Sequence, residues 1–342
     1  MENWIKANTA NDDIVISSRV RLARNIKKIP FPNKLDINKG RELVTLIENE
    51  LYKSSYFQSN YETVYMWKSD DITNTSYLEK HLISDRLIQN RNGSAFIKDK
   101  NELVSIMINE EDHLRLQCIV GGLNLKEAYE ELNKIDDLLE ETLHYAYDKD
   151  LGYLTTCPTN VGTGLRASVM IHLPALTKSG AIDRLSNMLG KMGMTLRGLF
   201  GEGSKGYGNI YQISNQVTLG PTEEEIIDSL LAIVNNIVTE EKSAREKYLK
   251  SYEYETKDKI MRALGILRYS MVLTSKEALN LMSYIRLGIE MGVIKEVDKN
   301  LLNTLMVETL SATMQLNAGK KMNEKERDIL RAEIFRNHLR AI

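Results

Sequence analysis

The sequence changes character at Pro221-Thr222. Upstream of that point, short alternating or continuous apolar runs are broken by Gly, Pro and Asn, which is the pattern of strands and turns. Downstream, Leu, Ile, Met, Glu and Lys recur at helical spacing to the last residue with no strand-like run, and Thr222 with Glu225 forms a capping box at the start. The chain therefore has to hold a sheet-bearing domain followed by an all-α one. The boundary is expected near residues 240–245, dividing the chain into 1–242 and 243–342. No repeat, low-complexity tract or long linker interrupts either part.

A length of 342 residues suits two domains, each large enough to bury a core. Hydrophobic residues at 42%, charged residues at 27% and a net charge of −2 describe a globular chain without a general attraction for nucleic acid or anionic membrane, so any polyanion site has to be local. The first residues, MENWIKANTANDD, lack a basic start followed by an apolar core, and no run is long enough to span a bilayer. A cytoplasmic location is expected. Cys118 and Cys157 and five scattered histidines give neither zinc spacing nor a disulfide framework, so no metal held by the protein itself is expected.

Residues 152–174 read GYLTTCPTNVGTGLRASVMIHLP. A cysteine, a proline, a Gly-Thr-Gly and Arg166 lie between two strand-like runs, so a rigid turn presents a thiol and a guanidinium together, an arrangement suited to an anion. Taken alone it also fits an ordinary core turn, and it gains weight from the other arginines. Residues 14–22, IVISSRVRL, alternate as a strand with Val15, Ser17, Arg19 and Arg21 on one face. Two guanidinium forks on neighbouring same-side positions can grip a polyphosphate through paired charge-assisted hydrogen bonds.

Apolar residues return at helical intervals over 39–51 and 77–87, the second segment carrying His81, and Asn92-Gly93 turns the chain toward a strand starting at Ala95. The apolar run 103–108 leads directly into NEEDHLR, residues 109–115. Continued extended backbone would put Glu111, His113 and Arg115 on one face, with Glu111 and Arg115 about 13 Å apart at roughly 3.3 Å per residue. Asn124 with Glu127 predicts a capped helix to about residue 147, and a further amphipathic helix is expected over 178–192, closed by Gly193. In 194–215, Gly201, Gly203 and Gly206 match a dinucleotide fingerprint formally, but a strand rather than a helix follows, and Ser204-Lys205 has the wrong order for a Walker loop. Ordinary protein-kinase signatures are missing.

Phosphoryl transfer asks the protein to neutralise triphosphate charge, align donor with acceptor and supply a base. Arg19, Arg21, Arg115, Arg166 and Arg197 answer the first two needs. A carboxylate fits a guanidinium acceptor, since it fixes the planar group bidentately and takes its proton as a P–N bond forms.

SSRVRLAR at 17–24, NEEDHLR at 109–115, CPTNVGTGLRASV at 157–169, and Arg197 ahead of Ile213-Ser214-Asn215, in that order, resemble the phosphagen (guanidino) kinase family, which includes creatine and arginine kinases. The resemblance implies an α+β fold with an antiparallel sheet flanked by helices, here followed by the all-α C-terminal domain, with ATP and Mg2+ as cofactors and a guanidino nitrogen as acceptor. It implies that Arg19, Arg21, Arg115, Arg166 and Arg197 clamp the phosphates within a nucleotide site made of Ser17, Ser18, Val20, His81, Ala167, Ser168, Val169, Met170, Gly198, Leu199, Phe200, Gly201 and Glu202 as well. Glu111 becomes the base, Asp112 its neighbour on the metal or guanidinium side, and Cys157 the thiol beside the acceptor.

Two departures stand out. The metabolic members begin with an enclosing helical domain, whereas here the first motif starts at Ser17 and the additional mass follows the catalytic part. That layout, with RGLFGE at 197–202 and RDILRA at 327–332, is similar to a bacterial branch of the family that phosphorylates arginine in proteins. This implies Glu202 as a reader of the substrate guanidinium, and Arg327, Asp328 and Arg331 as a regulatory phosphoarginine site. It also implies a role in stress response and protein quality control, with a Clp ATPase, a heat-shock transcriptional repressor and an activator of the McsA type as partners, and a homodimer through the helical domain. A kinase for free arginine and a non-catalytic phosphoarginine-binding adaptor are the competing readings.

Overall fold

The computed structural model describes residues 3–5, 14–198 and 206–340. Among the described residues the strands are β1 (Val15–Arg24), β2 (Tyr61–Tyr65), β3 (Ala95–Asp99), β4 (Val104–Ile108), β5 (Leu114–Gly121), β6 (Tyr147–Asp148), β7 (Gly152–Tyr153), β8 (Leu165–His172), β9 (Met194–Gly198) and β10 (Ile210–Asn215). The chain divides into two units, the first comprising Met1–Trp4, Ser17–Ser168 and Ser214–Leu231, the second Ile5–Ile16, Val169–Ile213 and Ala232–Ile342.

The first unit is built on strands in the order β2-β3-β4-β5-β1-β8. The pairs from β2 through β1 are antiparallel, and the register sets Arg21 opposite Gln117, Ala23 opposite Arg115 and Ile108 opposite Leu114. Strands β3 and β4 are buried throughout, because both faces of the sheet are covered and neither alternates. Helix Leu125–Leu143 buries Leu125, Ala128, Leu132, Ile135, Leu139 and Leu143, a stripe at three- and four-residue spacing. The same stripe carries Asp136, whose carboxylate takes the guanidinium of Arg24 at 2.6 Å with both groups buried. Arg24 also donates to Thr163 O at 2.8 Å and lies 3.6 Å from the ring centre of Tyr153. The third arginine of SSRVRLAR is thus a strut between strand, helix and the Gly-Thr-Gly turn. That turn is as tight as its composition implies: Gly164 has φ +65°, and a Cβ there would stand 2.6 Å from Ala23 O.

In the second unit β8, β10 and β9 are neighbours in that order, and its described helices are Pro174–Lys178, Ile182–Lys191, the later turns of Glu223–Ser251, then Glu253–Tyr269, Ser275–Glu290, Lys299–Glu308, Ser311–Ala318 and Glu324–Leu339. Gly288 lets Ser275–Glu290 approach Glu253–Tyr269 closely, since a Cβ would fall 2.4 Å from Ile260 Cγ2. Asn323 and Glu326 form a reciprocal capping box at the head of the last helix.

Four local expectations change. Residues 109–113 do not continue as a strand; Asn109, at φ +58°, donates to His113 O and closes a hairpin between β4 and β5. His113 is therefore not on a shared face with Glu111: it is fully buried, accepts from Ile26 N at Nδ1 and contacts Pro30 O through Nε2. Segment 77–87 is two helices, Asp71–Glu79 and Asp85–Gln89, parted where His81 adopts φ +62°. Asn124 makes no capping bond, because its amide donates to Gly121 O at 2.7 Å, whereas the Thr222–Glu225 box does form. Gly180, at φ +70°, divides the expected helix over 178–192 into Pro174–Lys178 and Ile182–Lys191.

Candidate active site

The period of an extended chain places Arg19 and Arg21 on one face of β1, while Val20 and Leu22 are wholly buried on the other. The β1–β5 register puts Arg115 and Gln117 on that same face. Arg19 Nε donates to Ser168 Oγ at 3.3 Å, so Arg166, two residues earlier on β8, shares the side as well. Four guanidinium groups from three adjacent strands converge, and their electrostatics register it. Burial, then the charge of Arg115, pulls the Arg19 pKa down to about 10. Arg21 is held well below its ordinary value by burial and then by Arg19, Arg115 and Arg166, with Glu110 opposing. Arg21 Nε is also buried without a hydrogen-bond partner in the protein. Such a concentration of desolvated positive charge fits a bound polyanion.

His81 borders this cluster. Gln117 donates to its carbonyl at 2.7 Å and its ring lies 5.7 Å from that of Trp4. Burial, helped by the charge of Arg19, lowers its pKa to about 3, so the ring is neutral at any physiological pH.

The hairpin 109–113 gives three neighbouring carboxylates three environments. Glu110 is 2% exposed and accepts from Arg115 Nη1 at 2.7 Å, from the Ser84 hydroxyl, and from the backbone N–H of Glu111 at 2.8 Å. Burial raises its pKa, but Arg115 and the hydrogen bonds outweigh that and hold it below the ordinary range. Asp112, 3% exposed, accepts at Oδ1 from Asn25 Nδ2 and from the N–H of Thr156, both at 2.6 Å. It staples the hairpin to the segment that leads into Cys157. Glu111 is half-buried, with the Arg86 guanidinium 3.7 Å away, and its pKa is raised by burial first and then by Glu110 and Asp112, against Arg86 and Arg115. A carboxylate with raised affinity for a proton, reachable from solvent and not tied up by strong bonds, is suited to act as a base.

Cys157 is half-buried and precedes the short turn Pro158–Asn160. Its Sγ lies 3.1 Å from Thr159 Oγ1, which in turn accepts from Arg166 Nη2 at 3.4 Å. Arg166 also donates to Asn160 Oδ1 at 3.2 Å and to Asn215 O at 2.8 Å. The turn does present thiol and guanidinium together, joined by a threonine hydroxyl.

The remaining expected residues are placed as follows. Ser18 is buried and donates to Gly122 O at 2.7 Å, Ser17 is buried beside it, and Ala167 N donates to Asn215 Oδ1 at 2.8 Å, so these positions hold the strands that carry the arginines. Val169 and Met170 continue β8 in the second unit as buried side chains, and Arg197 and Gly198 end β9 there, Arg197 half-buried. Leu199, Phe200, Gly201 and Glu202 lie outside the described residues. In the last helix Arg331 is 1% exposed, donating to Thr309 O at 2.9 Å, to Leu273 O at 2.8 Å and to Asp328, while Arg327 reaches Met322 O at 2.9 Å.

Several site residues escaped the sequence reading. Glu110 and Ser84 fix Arg115, Arg86 faces Glu111, and Asn25 shares Asp112 with Thr156. Only Glu110 had a visible signal, as the first carboxylate of the NEED run, and its spacing gives it no role different from its neighbours.

Comparison with known proteins shows what the chain is similar to. Residues 42–244 match the family described as ATP:guanido phosphotransferase, C-terminal catalytic domain, and residues 253–342 match that described as Protein-arginine kinase McsB C-terminal domain. The chain is 52% identical over 342 residues to the protein-arginine kinase of Clostridium novyi, covering 100% of this chain and 99% of that one. It is 52% identical over 340 residues to the protein-arginine kinase of Clostridium acetobutylicum, covering 99% and 100%. Among solved structures, lombricine kinase superposes with a TM-score of 0.60 at 25% identity over 68% of this chain and 67% of that one. The duplicated taurocyamine kinase of Schistosoma mansoni gives 0.58 at 25% identity, over 74% of this chain and 37% of that one.

Proposed function

Since this chain belongs to the ATP:guanido phosphotransferase family, we propose that it is a protein-arginine kinase whose first unit grips the triphosphate of MgATP and carries the base that acts on an arginine side chain. Full-length likeness to proteins of that name supports the substrate class. The observation that carries the reading is the convergence of Arg19, Arg21, Arg115 and Arg166 beside a carboxylate of raised proton affinity.

In this reading the four guanidinium groups bind the phosphate oxygens, and Glu110 keeps Arg115 aimed by occupying one of its nitrogens. Glu111 holds the substrate guanidinium and takes a proton from the attacking nitrogen as the P–N bond forms and the bond from the γ-phosphorus to the β–γ bridging oxygen breaks, releasing ADP. Asp112 acts through the segment it staples and Cys157 lies beside the acceptor. Magnesium arrives on the triphosphate and neutralises part of its charge. Arg197, and Glu202 as a reader of the substrate, enter through their motifs.

The finer reading follows the resemblance: action in the cytoplasm in protein quality control, clients marked for a Clp protease, a heat-shock repressor inactivated, an McsA-type activator, and a C-terminal domain of residues 243–342 that dimerises. Regulation by phosphoarginine at Arg327, Asp328 and Arg331 belongs to the same reading, with Arg327 contacting the ligand and the buried Arg331 shaping its seat.

Glu111→Gln tests the proposal. Transfer to an arginine-containing protein should stop while MgATP binding, read by calorimetry, is retained. A variant that still phosphorylates would remove Glu111 as the base.

A further inference from the structure

The second unit contains a cavity of about 340 Å³ that the proposed reaction does not use. Its walls come from Pro174–Lys178, Glu253–Tyr269, Ser275–Glu290 and the later turns of Glu223–Ser251, and they include none of the four clustered arginines. Lys178 and Lys259 line it from different helices, and the charge of each bears on the other. Lys178 Nζ also lies 4.8 Å from the ring centre of Tyr248.

Two ammonium groups on the wall of one cavity repel, and an oxyanion bound between them turns the repulsion into charge-assisted hydrogen bonds. A second observation concerns the same wall. Thr256, on the cavity wall, is 3% exposed, and its hydroxyl is buried without a hydrogen-bond partner. An orphaned hydroxyl at that depth is costly unless something in the cavity satisfies it. Arg245 is not the anchor, since its guanidinium is committed to Glu241, Glu290 and His172 O. The lining also includes the apolar side chains of Leu287 and Met291. The lining therefore combines two cations and a hydroxyl donor with apolar side chains, and the volume exceeds that of a bare tetrahedral anion.

We propose that this cavity is a ligand site for a dianionic phosphoryl group, seated between Lys178 and Lys259 with Thr256 as a further partner, and that the rest of the cavity holds the organic part of a phosphomonoester. The phosphoryl group can come from inorganic phosphate or from such a monoester, and the test separates the two.

Inorganic phosphate and phenyl phosphate are titrated by calorimetry into the full-length chain, its Lys259→Met and Thr256→Val variants, and an Arg21→Met control that weakens phosphate binding in the first unit. Lys259 is exposed and Thr256→Val is nearly isosteric, so folded protein is expected in each case, checked by thermal melting. A binding event that survives Arg21→Met but weakens at least about tenfold in Lys259→Met supports the site, tenfold being the lower range for loss of a hydrogen bond to a charged group. Loss confined to phenyl phosphate identifies the monoester as occupant, and equal loss for both probes identifies the free anion. Binding of both probes within about twofold of the unaltered chain in Lys259→Met and in Thr256→Val overturns the proposal.

Discussion

Asp112 is the residue for which contact with the metal and support of the site make opposite predictions. Its Oδ1 accepts from Asn25 Nδ2 and Thr156 N at 2.6 Å, with the side chain buried. Asp112→Asn keeps the shape and an acceptor oxygen but removes the charge. Two charge-assisted bonds at about 1.5–3 kcal/mol each become neutral ones at about 0.5–1.5, a loss of about 2–3 kcal/mol. For a domain of this size that lowers the melting temperature by about 4–12 °C. Because Thr156 leads directly into Cys157, loosening this staple should reduce kcat about 10- to 100-fold, as expected for displacement of a site segment by about 1 Å. Melting curves and steady-state transfer at varied magnesium measure both effects. A residue acting by support leaves the magnesium requirement within about twofold of the original. An unchanged melting temperature with a magnesium requirement raised tenfold or more would refute the argument and return Asp112 to the metal side.

Three further outcomes are expected. The acid limb of the kcat profile should lie above the ordinary glutamate range, because Glu111 is raised by burial and its two neighbours, and Glu111→Gln should abolish the activity that defines it. Stability to urea should rise with pH from about 4 to about 6.5: His81, His113 and His172 have folded pKa values below the unfolded value of about 6.5, so the unfolded chain binds more protons across that window; a flat profile would contradict their neutral burial. Arg331→Ala should lower the melting temperature by stranding Leu273 O and Thr309 O, at about 1–3 kcal/mol for each buried acceptor, whereas Arg327→Ala should leave it nearly unchanged.

The sequence discloses what depends on period and composition. Arg19 and Arg21 share a face because a strand repeats every two residues, the tight Gly-Thr-Gly is legible because only glycine tolerates those angles, and the helical C-terminal region follows from its spacing. What it conceals depends on where the chain turns. The hairpin at 109–113 hinges on Asn109 in a left-handed conformation, which asparagine permits but does not announce, and that turn decides which carboxylate is buried against Arg115 and which faces solvent. The partnership of Asn25 with Asp112 spans 87 residues and leaves no trace in either segment. Even identical signals diverge: Thr222–Glu225 closes a capping box, while Asn124–Glu127 does not because the asparagine finds Gly121 O first.

The central claim is the transfer of a phosphoryl group to arginine in proteins. Phosphorus NMR of the full-length chain with MgATP, offered free L-arginine in one sample and an unfolded arginine-containing protein in another, reads it directly. The predicted result is an acid-labile P–N resonance on the protein and none on the free amino acid. A resonance on free arginine alone would contradict the claim and make the chain a kinase of small guanidino compounds.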